Sequence, residues 1–160
     1  MRLTNRRALW IAVAVATVAL AGAAYAAPQS SSQAAAKKTI ELTEESAVPK
    51  LKVIDVGDPG LSQGDQVVTT DGLLDRKGAV AGSLEQVCTV VSPGANLFAS
   101  TFDCTGSFDL ADGSITVQGS FVPVAEVSSL AVTGGTGEFA KARGEAVIAT
   151  EADTITVELA

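Results

Sequence analysis

Residues 130 to 146 read LAVTGGTGEFAKARGEA, and two incompatible folds claim them. In the first, an apolar strand runs into Gly135-x-Gly137-x-x-Ala140, the G-x-G-x-x-G/A pattern of a dinucleotide-binding turn. In the second, the glycines form a corner of an all-β barrel. A dinucleotide turn must open a helix whose N-terminal amides face a pyrophosphate, and further βαβ units must build the crevice. Only a short non-glycine stretch separates Ala140 from Gly144, and just sixteen residues follow Gly144. No helix of useful length forms there, and the motif match is coincidental. Gly134, Gly135 and Gly137 are then chosen for the backbone. They permit positive φ and a tight strand reversal, with Phe139 packing beneath and Gly144 reopening the next strand.

Outward from this corner the chain reads as short β-branched runs punctuated by turns, with almost no helical stripe. The runs are 39–43, 50–56, 65–70, 79–91, 97–109, 113–122, 129–133, 143–151 and 153–159. Turn signals separate them at Asp58-Pro59-Gly60, Asp71-Gly72, Ser92-Pro93-Gly94, Ala111-Asp112-Gly113 and Glu151-Ala152-Asp153. Eight or nine strands at this spacing predict a sandwich or a barrel. Alternation assigns the faces. Phe98, Phe102, Cys104 and Phe108 share one parity of 97–109, and Ile115, Val117, Gly119 and Phe121 share one parity of 113–122. Ile155, Val157 and Leu159 do the same in the last run, which suits antiparallel strands around one shared interior.

The first 26 residues have a basic start at Arg2, Arg6 and Arg7, an apolar run from Ala8, and small residues at Ala24 and Ala26. They read as a secretory signal peptide cleaved after Ala26, with a membrane anchor as the alternative reading. Sec and twin-arginine export both stay open. Residues 27–38, APQSSSQAAAKK, read as a flexible spacer, and 39–160 as a single domain. The expected localisation is secreted, extracellular or in the cell envelope, without stable membrane insertion after cleavage.

Three of the eleven Lys+Arg and none of the eighteen Asp+Glu lie in the leader, so the remainder carries eight against eighteen, a net charge near −10. That sign opposes binding to nucleic acid or to anionic membranes. The chain has no His, and its single Met, Trp and Tyr are Met1, Trp10 and Tyr25, all in the leader. A Ser-His-Asp triad, a Cys-His pair and a His-ligated zinc site are excluded. Neither a metal nor a cofactor is expected, and proton transfer must use carboxylates, Lys, Cys or water.

Cys88 and Cys104, the only cysteines, both fall on the apolar parity of runs joined by SPGAN. In an exported chain a disulfide is expected, closing a loop of roughly 17 residues for about 3 kcal/mol. Two buried free thiols are the alternative.

The stretch LAVTGGTGEFAKARGEAVIAT resembles the carboxy-terminal segment of the allene oxide cyclase and dirigent barrels, with their V-x-G-G-[ST]-G-x-F strand end. DGSITVQGSF, residues 112–121, resembles their S-x-L-x-V-Q-G strand. QGDQVVTTDGLLD, residues 63–75, resembles the G-D-x-V-x-x-T-N-x-L-x-D segment of the cyclases, and KGAVAG, 77–82, fits the entry into the next strand. The resemblance implies an eight-stranded antiparallel β-barrel, calycin-type, with a central cavity, no cofactor, and assembly as a homotrimer or homodimer. It implies catalysis by holding a flexible substrate in one folded shape. In the cyclases a first-strand glutamate and an asparagine on the strand after G-D handle developing charge. The matching positions are Asp55 and Asp71, the latter beside Thr70, and Thr70, Phe98 and Phe102 are the candidate binding residues. Such a pair facing an apolar lumen is suited to acid and base roles. Asp55 also fits a strand-end acid and Asp71 a turn residue. The substrate-holding tyrosines of the cyclases have no counterpart.

Three functions follow: a cofactor-free cyclase or isomerase acting on a small apolar molecule, a dirigent-like binding module, or a filled structural barrel. An open lumen with an inward carboxylate favours the first, and a lumen filled by Phe98, Phe102, Phe108 and Phe121 the last.

Overall fold

The computed structural model describes residues 37–45 and 50–160. The signal peptide expected over 1–26 lies outside the described residues, as does the spacer up to residue 36. Lys38 already belongs to the first strand.

Nine antiparallel strands form the domain: β1 (Lys38–Glu44), β2 (Lys50–Ile54), β3 (Gln66–Asp75), β4 (Val80–Ser92), β5 (Thr101–Leu110), β6 (Gly113–Phe121), β7 (Val127–Gly135), β8 (Gly144–Ala149) and β9 (Thr154–Leu159). They lie in the order β1-β9-β8-β7-β6-β5-β4-β3-β2, and an additional β1–β3 pairing closes eight of them into a barrel. The ninth, β2, is extra. β3 makes both connections along a single edge: Leu73 to Asp75 pair with Glu44 to Leu42, and Gln66 to Thr70 pair with Ile54 to Lys50.

This double pairing explains why β3 runs through Asp71-Gly72, where the sequence predicts a turn. The seam with β1 can close only if the strand continues. Gly72 leaves room for the Glu45 side chain, whose Oε2 lies where a Cβ would stand. Asp71-Gly72 is therefore in-strand, a correction to the turn expectation.

Alternation fills one end of the lumen. Leu73, Leu84, Phe108, Ile115, Val117, Leu130, Val132 and Val157 are buried together there. Phe139, carried on a 3-10 turn at Gly137–Phe139, is buried in the same cluster. A bulge between β6 and β7, where Thr116 pairs with Gly134 but Val117 pairs with Val132, bends β7 as it enters this closed end.

The glycine corner works residue by residue. Gly137 has φ +57 and Gly144 φ +144, while a Cβ on Gly135 would run into the Ser114 carbonyl. Gly134 has neither reason. Its nearest neighbour is Thr116 Oγ1 at 3.5 Å, an ordinary contact, so the positive φ expected there is not found.

Candidate functional site

The opposite end of the barrel is open. There residues of β1, β2, β3, β4, β5, β6, β8 and β9 surround a cavity of about 470 Å³. Its wall is apolar and aromatic, from Leu51, Val67, Leu97, Phe98, Phe102, Phe121, Ile148 and Ile155, with Thr69, Gln86, Glu44 and Asp153 as polar members. A smaller recess of about 40 Å³ lies deeper, bordered by Glu44, Gln86, Phe108 and Val117 among others. Glu44 borders both spaces.

Glu44 arrives there by simple alternation. Ile40 and Leu42 face the interior from β1, and the next residue of that parity is Glu44. Burial pushes its carboxyl above the ordinary value, and the negative charges of Asp71 and then Asp153 push it further. Asp71 lies on the inward parity of β3 with Val67, Thr69 and Leu73, and its Oδ1 accepts the Gly72 amide at 2.8 Å. Asp153 stands at the rim, in the left-handed conformation with φ 49, just after the 3-10 turn Thr150–Ala152. Three carboxylates thus share one electrostatic environment. Among the described residues no group of three or more His, Cys, Asp or Glu side chains is arranged to hold a metal ion.

The structure places two residues of the expected site away from the cavity wall. Asp55 is exposed in the β2–β3 loop, where its Oδ2 accepts the Gly60 amide at 3.1 Å. It does not line the cavity: β2 ends at Ile54 and the chain has already passed into the loop at Asp55, whereas Leu51 on β2 does border the cavity. Thr70 is exposed on the outward parity of β3, and its neighbour Thr69 takes the lumen position. Phe102 is buried in the cavity wall. Phe98 also borders the cavity but is 69% exposed, since Leu97–Ala99 form a 3-10 turn rather than the start of a strand. Phe108 belongs to the closed end and Phe121 to the wall, so the four phenylalanines do not fill the lumen.

Two further features hold the mouth. Cys88 and Cys104 form a disulfide between β4 and β5, and Cys88 borders the cavity. Asp65, 2% exposed, accepts the amides of Val56 at 2.8 Å and Ser62 at 2.7 Å, which hold its carboxyl below the ordinary value. Its carbonyl accepts the Val90 amide, tying the β2–β3 loop to β4. Glu44, Thr69, Asp153 and Asp65 were not singled out from the sequence. For Glu44 the signal was present, in the parity of Ile40 and Leu42.

The family model of the allene oxide cyclase barrel-like domain matches residues 36–159. The chain belongs to this family. No curated protein matches it. Among solved structures, pyocyanin demethylase superposes with a TM-score of 0.61 at 23% identity, covering 78% of this chain and 99% of that one. A pterocarpan synthase dirigent protein gives 0.53 at 16% identity, covering 77% and 84%. The Diels–Alderase AbmU from Streptomyces koyangensis gives 0.51 at 11%, covering 80% and 68%. At these identities the likeness is one of fold, and the barrel is shared by cyclases and dirigent proteins.

Proposed function

We propose that this barrel is a cofactor-free cyclase or isomerase that folds a small, largely apolar substrate inside the cavity and steers its ring closure. The observation that carries the reading is the open apolar cavity of about 470 Å³ with Glu44 in its wall. A drug-sized guest fits such a space. Confining a flexible chain so that its reacting ends meet lowers a barrier by up to about 7–11 kcal/mol in well-oriented systems. Glu44, its carboxyl raised by burial and by Asp71, handles the proton. Asp71 acts through Glu44 as a positioning residue, and Phe102 and Phe121 hold the substrate's apolar body. The protein works as a secreted enzyme, a reading supported by the basic and apolar leader over residues 1–26.

Isomerisation leaves mass unchanged, so the test incubates the protein with metabolite extract of its source organism. Liquid chromatography–mass spectrometry then looks for a peak of unchanged mass and new retention time. Such a peak with the native protein, lost with Glu44→Gln, is the expected result. A peak that survives Glu44→Gln removes Glu44 from the mechanism. A protein that binds the neutral fluorophore N-phenyl-1-naphthylamine in the cavity yet produces no isomer is instead a dirigent-like binding module, the reading favoured by the absence of His.

A further inference from the structure

Charge in the cavity is one-sided. Glu44 and Asp153 are in its wall, and Asp71 is close enough to act on Glu44. Among the described residues no Lys or Arg borders the cavity. The two lysines nearest in the sheet, Lys50 and Lys52, pair with Thr70 and Val68 and so share the outward parity of β3. A neutral guest that displaces water from this wall desolvates Glu44 and Asp153 with no cation in the wall to offset their charge, which is unfavourable. A cationic guest removes that cost. Phe98, Phe102 and Phe121 are also in the wall, and aromatic rings attract organic cations that come over their faces within about 6 Å of the centroid. An inorganic ion suits the site poorly, since the acids do not converge as ligands.

We propose, resting on the reading of this cavity as a small-molecule site, that its ligand is an organic cation. It is an apolar, ring-bearing molecule with one positively charged nitrogen, seated with that nitrogen between Glu44 and Asp153. Binding such a charge draws Glu44 back to its ionised form, which leaves it as a proton acceptor beside the ligand. The same arrangement rejects carboxylates, so the site selects by repulsion as well as by fit.

The test uses three naphthalenes of similar shape and measures binding by calorimetry at neutral pH: 1-naphthylmethylamine as its ammonium ion, 1-naphthalenemethanol and 1-naphthoate. The ammonium ion is expected to bind at least tenfold more tightly than the alcohol, with the carboxylate weakest. The Glu44→Gln/Asp153→Asn double variant is expected to shrink the gap to under threefold. Asp153→Asn alone is expected to shrink it in part, and asparagine accepts the left-handed backbone at 153. Glu158→Gln removes one exposed charge outside the cavity and is expected to keep the full gap, separating local charge from the net charge of the chain. Equal binding of alcohol and ammonium ion, or a gap that survives the double variant, overturns the cation proposal alone. Failure of all three naphthalenes to bind overturns the cavity reading and this proposal together.

Discussion

Cys88 and Cys104 stand directly opposite each other on β4 and β5, their Cα atoms 4.0 Å apart and their sulfurs bonded. The bond joins strands that are already paired, so its effect falls mainly on the unfolded chain, where it closes a loop of sequence separation 16. Replacing both residues by alanine is expected to cost about 3 kcal/mol. Urea denaturation should show a lower midpoint for the double variant, and the same shift when the native protein is reduced. An unchanged midpoint in both would mean that the sheet alone holds these strands.

The two ends of the glycine corner should respond differently to alanine. Gly144 has φ +144, and a Cβ there runs into the Glu158 carbonyl of β9, so Gly144→Ala is expected to destabilise by about 1–3 kcal/mol or more. Gly134 has an ordinary backbone, and a Cβ there would meet Thr116 Oγ1 at 3.5 Å and Arg143 Nη1 at 3.8 Å, both ordinary contacts, so Gly134→Ala is expected to stay within about 1 kcal/mol. Thermal unfolding of the two variants side by side checks this. Equal losses would show that Gly134 carries a constraint that its surroundings do not reveal.

Phe98 and Phe102 both border the cavity but differ in burial, 69% against 3% exposed. Phe102→Ala removes a core side chain and is expected to cost about 3–5 kcal/mol of stability. Phe98→Ala should change stability by no more than about 0.5 kcal/mol. Its effect should show in weaker binding of N-phenyl-1-naphthylamine, read by fluorescence. A Phe98→Ala protein that binds the fluorophore like the native one would place Phe98 outside the functional mouth.

Glu44 gives the fold a distinctive pH response. Its carboxyl is raised above the ordinary value of about 4.5, first by burial and then by Asp71 and Asp153. An acid raised in the folded state contributes stability that is fully present below the unfolded value and is lost as pH rises through the folded one. Asp65 and Asp75 are lowered by backbone amides, so their contributions are present above the unfolded value and lost as pH falls through their folded values. Glu44→Gln should therefore match the native protein in acid and become the more stable of the two as pH rises above 4.5. Melting temperatures across that range decide it, and a difference independent of pH would show that Glu44 does not titrate in this window.

The barrel was legible because alternation is local. Phe102, Cys104 and Phe108, like Ile155, Val157 and Leu159, announce their buried face by spacing alone, and the glycines of 134–144 mark the corner that excludes a nucleotide turn. The same local logic misplaced the site. Asp71-Gly72 has turn chemistry, yet β3 passes straight through it because β1 must pair with Leu73 to Asp75 to close the ring. Asp55 lies in a strand-like run, yet β2 ends at Ile54 and Asp55 falls in the exposed loop, where its carboxylate accepts the Gly60 amide.

The sequence by itself determined the fold class, the inward parity of most strands, the cysteine pair and the exclusion of His-based chemistry, all properties of neighbouring residues or of composition. Only the tertiary structure decided that Asp55 stays out of the lumen and that Glu44, inward by parity, lies at the open cavity. It also decided that Thr69 rather than Thr70 faces inward, and that the mouth stays open while Phe139 closes the far end. Those outcomes depend on which strands meet across the closing seam and in what register, where a shift of one residue exchanges the inner and outer faces.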